Sequence, residues 1–373
     1  MLPLDIGQFW KDDEISQRDN CFAKESTQVA LGIRMSGECV YDELGETGKP
    51  WLPEDPTRLR DLFKRYNDKA EKIVGRRLLD ENIPAPEEVY PPYHRIGEWF
   101  GARYVMNEAS EWLEGGISTP QQLEKLLDRL ERSVDLREFM LPPGWEAEKR
   151  RIQETYGTMP PGVRHVRGPV TLAMSVFGVE NLIFLCLDEP ELAQRFSLAI
   201  ADAICGMADI ADAEAGFSQA LAPGGFSFAD DNCCLVTPEI YEMFAYPILK
   251  RVFERYSPQP GDKRYQHSDS AMGHLLPILG RLDFNGVNFG PTIMADEIRR
   301  YMPRARIDGC IAPFTFMHND EKGLVAEVRR DCDRIRSTGT RGLNISTAGS
   351  INNGSLLASM RIVMAAIQEY GRY

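Results

Sequence analysis

The stretch FSFADDNCCLVTPEIYEMFAYPILKRVFERY (226–256) decides the fold. It opens with a short apolar run, FSFA, which reads as a buried strand. A polar segment, DDNCCLV, follows it. Thr237-Pro238-Glu239 then supplies a helix start, with a capping hydroxyl and a proline at the first helical position. Apolar residues recur at helical spacing from there to Tyr256, so one helix is expected over 237–256. This is a strand–loop–helix unit.

The same unit repeats on both sides. Upstream, 163–166 reads as a strand and 189–214 as a helix. Downstream, strands are expected at 264–267, 286–289, 307–311 and 343–346. Each precedes a helix, over 273–282, 295–302, 319–337 and 355–370. Regular alternation of this kind implies parallel strands joined by right-handed crossovers. A doubly wound sheet would carry a Gly-rich phosphate turn at its first βα junction, and neither GxGxxG nor GxxxxGK[ST] occurs. Six units, with two weaker strands earlier in the chain, point to a (β/α)8 TIM barrel in an α/β chain of 373 residues.

The early chain is less regular. Residues 57–80 are charged and helical in pattern, and 84–92 hold four prolines and must be irregular. Residues 103–106 read as a short strand and 120–136 as an amphipathic helix. The expected organisation is an N-terminal extension of helices and loops over 1–95, packed on a barrel formed by 96–373.

Composition narrows the partners. The formal net charge of -13 and a pI near 5.0 disfavour nucleic acid. No apolar run reaches membrane-spanning length, and the first residues lack a secretory signal pattern. The eight cysteines show no CxxC pair, which suits reduced thiols in a cytoplasmic protein.

In a parallel barrel the chemistry gathers at the C-terminal ends of the strands. The residues there are Arg167, Asp230, Asp231, Asn232, His267, Asp269, Asn288, Cys310 and Asn352. Asp230, Asp231, His267 and Asp269 suit acid–base catalysis, and His267 with Asp269 forms an H-x-D pair able to share a metal or a proton. Cys310 is a candidate third metal ligand. Arg167 suits a substrate carboxylate. Asn232, Asn288 and Asn352 offer amides to a substrate. The Asn352-Asn353-Gly354 turn is either an anion site at the start of the last helix or a tight turn.

Four stretches resemble the uroporphyrinogen decarboxylase superfamily. They are RGPVTLA (167–173), FADDNCCLVTPEIYEMFAYPILKRV (228–252), YQHSDSAMGHLLPILGRLDFNGVNFGP (265–291) and STAGSINNGSLLASMRIVMAAIQEYG (346–371). The resemblance implies one of two activities. One is cofactor-free decarboxylation of uroporphyrinogen. The other is methyl transfer or demethylation of a small methylated substrate, with a corrinoid carried by a partner protein. The RQAGRY-type arginine motif of the decarboxylating branch is absent from 1–60. The methyl-transfer branch implies zinc held by an H-x-C pair and a later cysteine. Here the pair reads His267-Ser268-Asp269, and the later cysteine falls near Gly349. These residues suit a harder divalent metal, or none, better than a thiolate-bound zinc. Methyl transfer is the preferred expectation, with decarboxylation second and a non-catalytic ligand-binding barrel third. The resemblance also implies a homodimer.

Overall fold

The computed structural model describes residues 2–48, 50–52, 54–106, 111–133, 135–218 and 220–373. Numbered along the chain, its strands are β1 (Ala30–Leu31), β2 (Arg103–Met106), β3 (Glu111–Glu114), β4 (His165–Arg167), β5 (Phe226–Ala229), β6 (Arg264–Ser268), β7 (Gly286–Phe289), β8 (Arg306–Asp308) and β9 (Leu343–Ile345). The chain divides into two units. The first comprises Met1–Ile83, His267–Leu276 and Asp283–Tyr373, and the second Pro84–Gln266 and Pro277–Leu282. Strand β6 contributes to both.

In the first unit β1, β9, β8 and β7 lie side by side in that order, all parallel. Ala30 pairs with Asn344, Asp308 with Asn344, and Val287 with Ile307. The strands β7 and β9 are buried on both faces, as parallel strands covered by helices must be. Two-residue β1 lies within 1–95, the segment expected as an extension, and adds a parallel strand to this sheet. The helix Pro56–Val74 starts where Asp55 caps the Thr57 and Arg58 N–H groups. It stops at Gly75, whose φ of 79° is left-handed. Asp320 caps the helix Glu321–Ser337 through the Gly323 N–H.

In the second unit β4 and β5 are parallel, with Arg167 opposite Ala229. The strand expected at 103–106 forms as β2, but it pairs antiparallel with β3 in a separate hairpin. Helix Pro190–Glu214 runs close to its expected span. The single helix expected over 237–256 is instead two, Pro238–Phe244 and Tyr246–Tyr256. Pro247 explains the break: it has no N–H to donate, and its ring clashes with the preceding turn. Likewise 120–136 ends early, at Ser133, and Asp135 caps a new helix, Leu136–Met140. Among the described residues, no single helix is long and apolar enough to cross a membrane. All eight cysteines are free thiols.

Candidate active site

At the end of β5, Asp230 is fully buried. Its Oδ1 accepts a 2.8 Å hydrogen bond from the Thr171 N–H and its Oδ2 a 3.4 Å bond from the Val170 N–H. It therefore serves the N-terminus of the helix Pro169–Phe177, which follows β4. Burial pushes its carboxyl up to about 6, against the pull of these donors. Thr171 then returns a contact: its Oγ1 accepts from the Asn232 N–H at 2.9 Å. Backbone closeness makes this possible. A Cβ at Gly168 would sit 2.2 Å from the Asp230 Cβ, so no other residue fits there without displacement. Both oxygens meet backbone donors, so Asp230 positions its neighbours whatever part its carboxyl takes in the acid–base chemistry expected of it. Asp231 and Asn232 are half-buried beside it. Tyr241, wholly buried, lies within the field of the Asp230 charge.

Arg167, at the end of β4, is half-buried. Its Nη1 lies 3.5 Å from Ser175 Oγ.

The second group belongs to the first unit. His267 Nδ1 and Asn288 Oδ1 lie 2.7 Å apart. The Asn288 amide is oriented by its other end, where Nδ2 donates to the Asp308 carbonyl and, at 3.0 Å, to the Thr347 carbonyl. Carbonyl oxygens only accept, so the nitrogen must face them and the oxygen must face His267. His267 then carries its proton on Nδ1 in the neutral state, which leaves Nε2 as the basic nitrogen. Asn288, expected to bind substrate, is thus a clamp on His267.

Asp269 is exposed. A Cβ built on Gly290 would lie 2.5 Å from its carbonyl oxygen, so the loop after β7 presses against its backbone. A Cβ built on Gly349 would lie 3.3 Å from its Oδ2. The turn after β9 therefore reaches the Asp269 carboxylate.

Cys310 is fully buried among Asp331, Arg330 and Glu327, and burial pushes its thiol far above the usual range. Such a thiol reaches the thiolate form needed of the metal ligand expected here only where the ion itself displaces its proton. Asn352 is exposed, and its carbonyl accepts from the Ser355 N–H. The N–H groups that begin the last helix are already taken: Leu356 donates to Asn319 Oδ1 and Leu357 to Glu43 Oε2. The segment is the tight turn, and the exposed Asn352 side-chain amide is still open to the substrate role expected of it.

Over residues 102–370 the chain matches the family model described as Uroporphyrinogen decarboxylase (URO-D). The chain belongs to that family. No curated protein matches it. Among solved structures, a methyltransferase from Methanosarcina mazei is 18% identical with a TM-score of 0.53, over 92% of this chain and 94% of that one. A B12-independent methionine synthase from Shewanella sp. W3-18-1, in complex with selenomethionine, is 11% identical with a TM-score of 0.41, over 92% and 95%. The first likeness establishes the fold, and the expected (β/α)8 barrel holds for this member of the uroporphyrinogen decarboxylase family.

The zinc that the methyl-transfer branch implies is tested by these same residues. The structure does bring position 349 against position 269, as a shared ligand set requires. Those positions hold glycine and aspartate, so neither thiolate is present. A thiolate-rich zinc does not fit this family member. Of the expected metal ligands, His267 and Asp269 keep suitable nitrogen and oxygen donors.

Proposed function

We propose that this uroporphyrinogen decarboxylase-family enzyme transfers a methyl group to or from a small methylated substrate, with a corrinoid-carrying protein as partner. The observation that carries the proposal is the Asn288 clamp, which presents His267 with a basic Nε2 at the end of β6. Demethylation breaks the bond between the methyl carbon and an oxygen or nitrogen. The methyl group passes to the acceptor, and the departing heteroatom takes a proton. His267, once protonated on Nε2, is the group suited to deliver it and is left as the neutral Nδ1–H form, which takes the acceptor's proton in the reverse direction, with Asp269 orienting the substrate. His267 and Asp269 stand at the C-terminal end of β6, the edge at which a (β/α)8 barrel places its chemistry. Positioned proton transfer of this kind contributes roughly 10²–10⁴-fold in rate. The name of the fold neighbour from Methanosarcina mazei agrees with this reading. A divalent metal on His267 and Asp269 is compatible with it, and no step depends on one.

Decarboxylation of a carboxylated substrate is the second reading, favoured by Arg167 at the end of β4. One experiment separates the two. The purified chain is supplied with methylcobalamin and a thiol acceptor, and separately with uroporphyrinogen. Methyl transfer that falls at least 100-fold in His267→Ala supports the proposal. Carbon dioxide release with no methyl transfer overturns it in favour of decarboxylation. Ligand binding without either turnover would leave a binding barrel.

A further inference from the structure

The β2–β3 hairpin is fastened in a specific way. Tyr104 and Leu113 are cross-strand partners. Both rest on Gly97, where an added Cβ would come within 2.7 Å of Leu113 and 3.1 Å of Tyr104 Oη. Just past β3, Gly115 lies on the helix Pro169–Phe177, since a Cβ there would meet the Val176 carbonyl oxygen at 2.2 Å. The hairpin is thus seated on the helix that follows Arg167. Arg95 fixes it further. Its guanidinium stacks 3.2 Å over the Tyr104 ring and grips Glu111 with two bonds of 2.5 and 2.8 Å.

Arg167 completes the group. Its charge acts on both Tyr104 and Glu111. Yet among the described residues no carboxylate lies within ion-pair distance of it, and its one side-chain hydrogen bond is the long contact with Ser175. The carboxylates of Glu98 and Glu111 are both engaged by Arg95, through its backbone N–H and its guanidinium, and Arg167 is the guanidinium of this group without such a partner among the described residues. A half-buried arginine without an anion is poorly solvated, and its planar fork matches a carboxylate. One unengaged guanidinium suits a monoanion better than a phosphate dianion, which Glu98 and Glu111 would repel.

We propose that Arg167, walled by Tyr104 of the hairpin, is the subsite for a carboxylate on the substrate, and that Glu111 is the charge this carboxylate competes with. The substrate class is therefore a small carboxylic acid bearing the transferable group. This deepens the functional reading above and rests on it for the location of the site.

Calorimetric titration of the full chain with methoxyacetate, its neutral amide methoxyacetamide, and propionate tests this. Both acids should bind, and the amide should bind at least 10-fold more weakly. Arg167→Gln should weaken both acids by about 10- to 100-fold, the loss expected for a charge-assisted hydrogen bond. Arg167→Lys should recover part of that loss, and Glu111→Gln should tighten binding. An amide that binds as well as the acid, or acids that bind Arg167→Gln as tightly as the native chain, overturns the proposal. If Arg167→Gln does not fold, Arg167→Lys and Glu111→Gln decide by the same criteria. Propionate carries no methyl group on a heteroatom, so its binding reports the subsite whatever the reaction. Intact acid binding without methyl transfer would overturn the activity reading alone.

Discussion

Asn288 Oδ1 accepts the Nδ1 proton of His267 at 2.7 Å while its own amide nitrogen is held by two backbone carbonyls. This fixes both the ring orientation and the tautomer. Asn288→Ala should lower kcat/KM by about 10- to 100-fold, the usual effect of removing such a support. A merely structural loss would not change the tautomer. ¹⁵N NMR should therefore show His267 with a bare Nε2 in the native chain and a mixture of tautomers in the variant. A native spectrum with the proton on Nε2 would sink the idea.

Asp230 makes stability depend on pH. Its folded carboxyl titrates near 6, against an ordinary value of 3.8. Between those values the folded chain holds a proton that the unfolded chain has released. Stability therefore falls as pH rises through this window, and the loss is complete above about 6. A shift of about two pH units corresponds to about 3 kcal/mol. Asp230→Asn removes the titration, so the native chain should lose about that much relative to the variant between pH 4 and 6.5. Urea unfolding across that range measures it, and a flat difference would refute it.

Gly168→Ala should destabilise the chain by roughly 1–3 kcal/mol, because the new Cβ collides with Asp230 and both backbones must shift. The urea midpoint should drop. Methyl transfer should also fall, since the displaced Asp230 carries Asp231 with it.

Cys310→Ala should leave turnover within about twofold of native, at about 1 kcal/mol in stability, the worth of one small buried group. His267→Ala should abolish turnover in the same assay. A loss in Cys310→Ala as large as that in His267→Ala would restore the thiol to the reaction centre.

Much of this was legible in the residues. Phe226–Ala229 and Gly286–Phe289 form as expected, because short apolar runs bounded by polar turns have few other ways to bury themselves. Ala30–Leu31 could not be seen: two residues carry no periodicity, and only their partner β9 makes them a strand. The acids at the strand ends were visible as a class, but their roles were not. Asp230 and Asp231 are adjacent in sequence, and only the approach of Gly168 commits the first to a neighbouring helix. The clamp on His267 was hidden for a similar reason, since Asn288, Asp308 and Thr347 meet only through the pairing of distant segments. Thr171 was overlooked because a threonine in the first turn of a helix has many ordinary uses.

The lock formed by Gly168, Thr171, Asp230 and Asn232 has a bearing on how this family member can diversify. It welds the loops after β4 and β5 into one rigid plate, so Arg167 cannot be repositioned without dragging Asp231 along. Adapting to a longer or shorter acid would be easier by redrawing the β2–β3 hairpin, which is pinned by one ion pair and two glycine contacts, than by altering the plate beneath it.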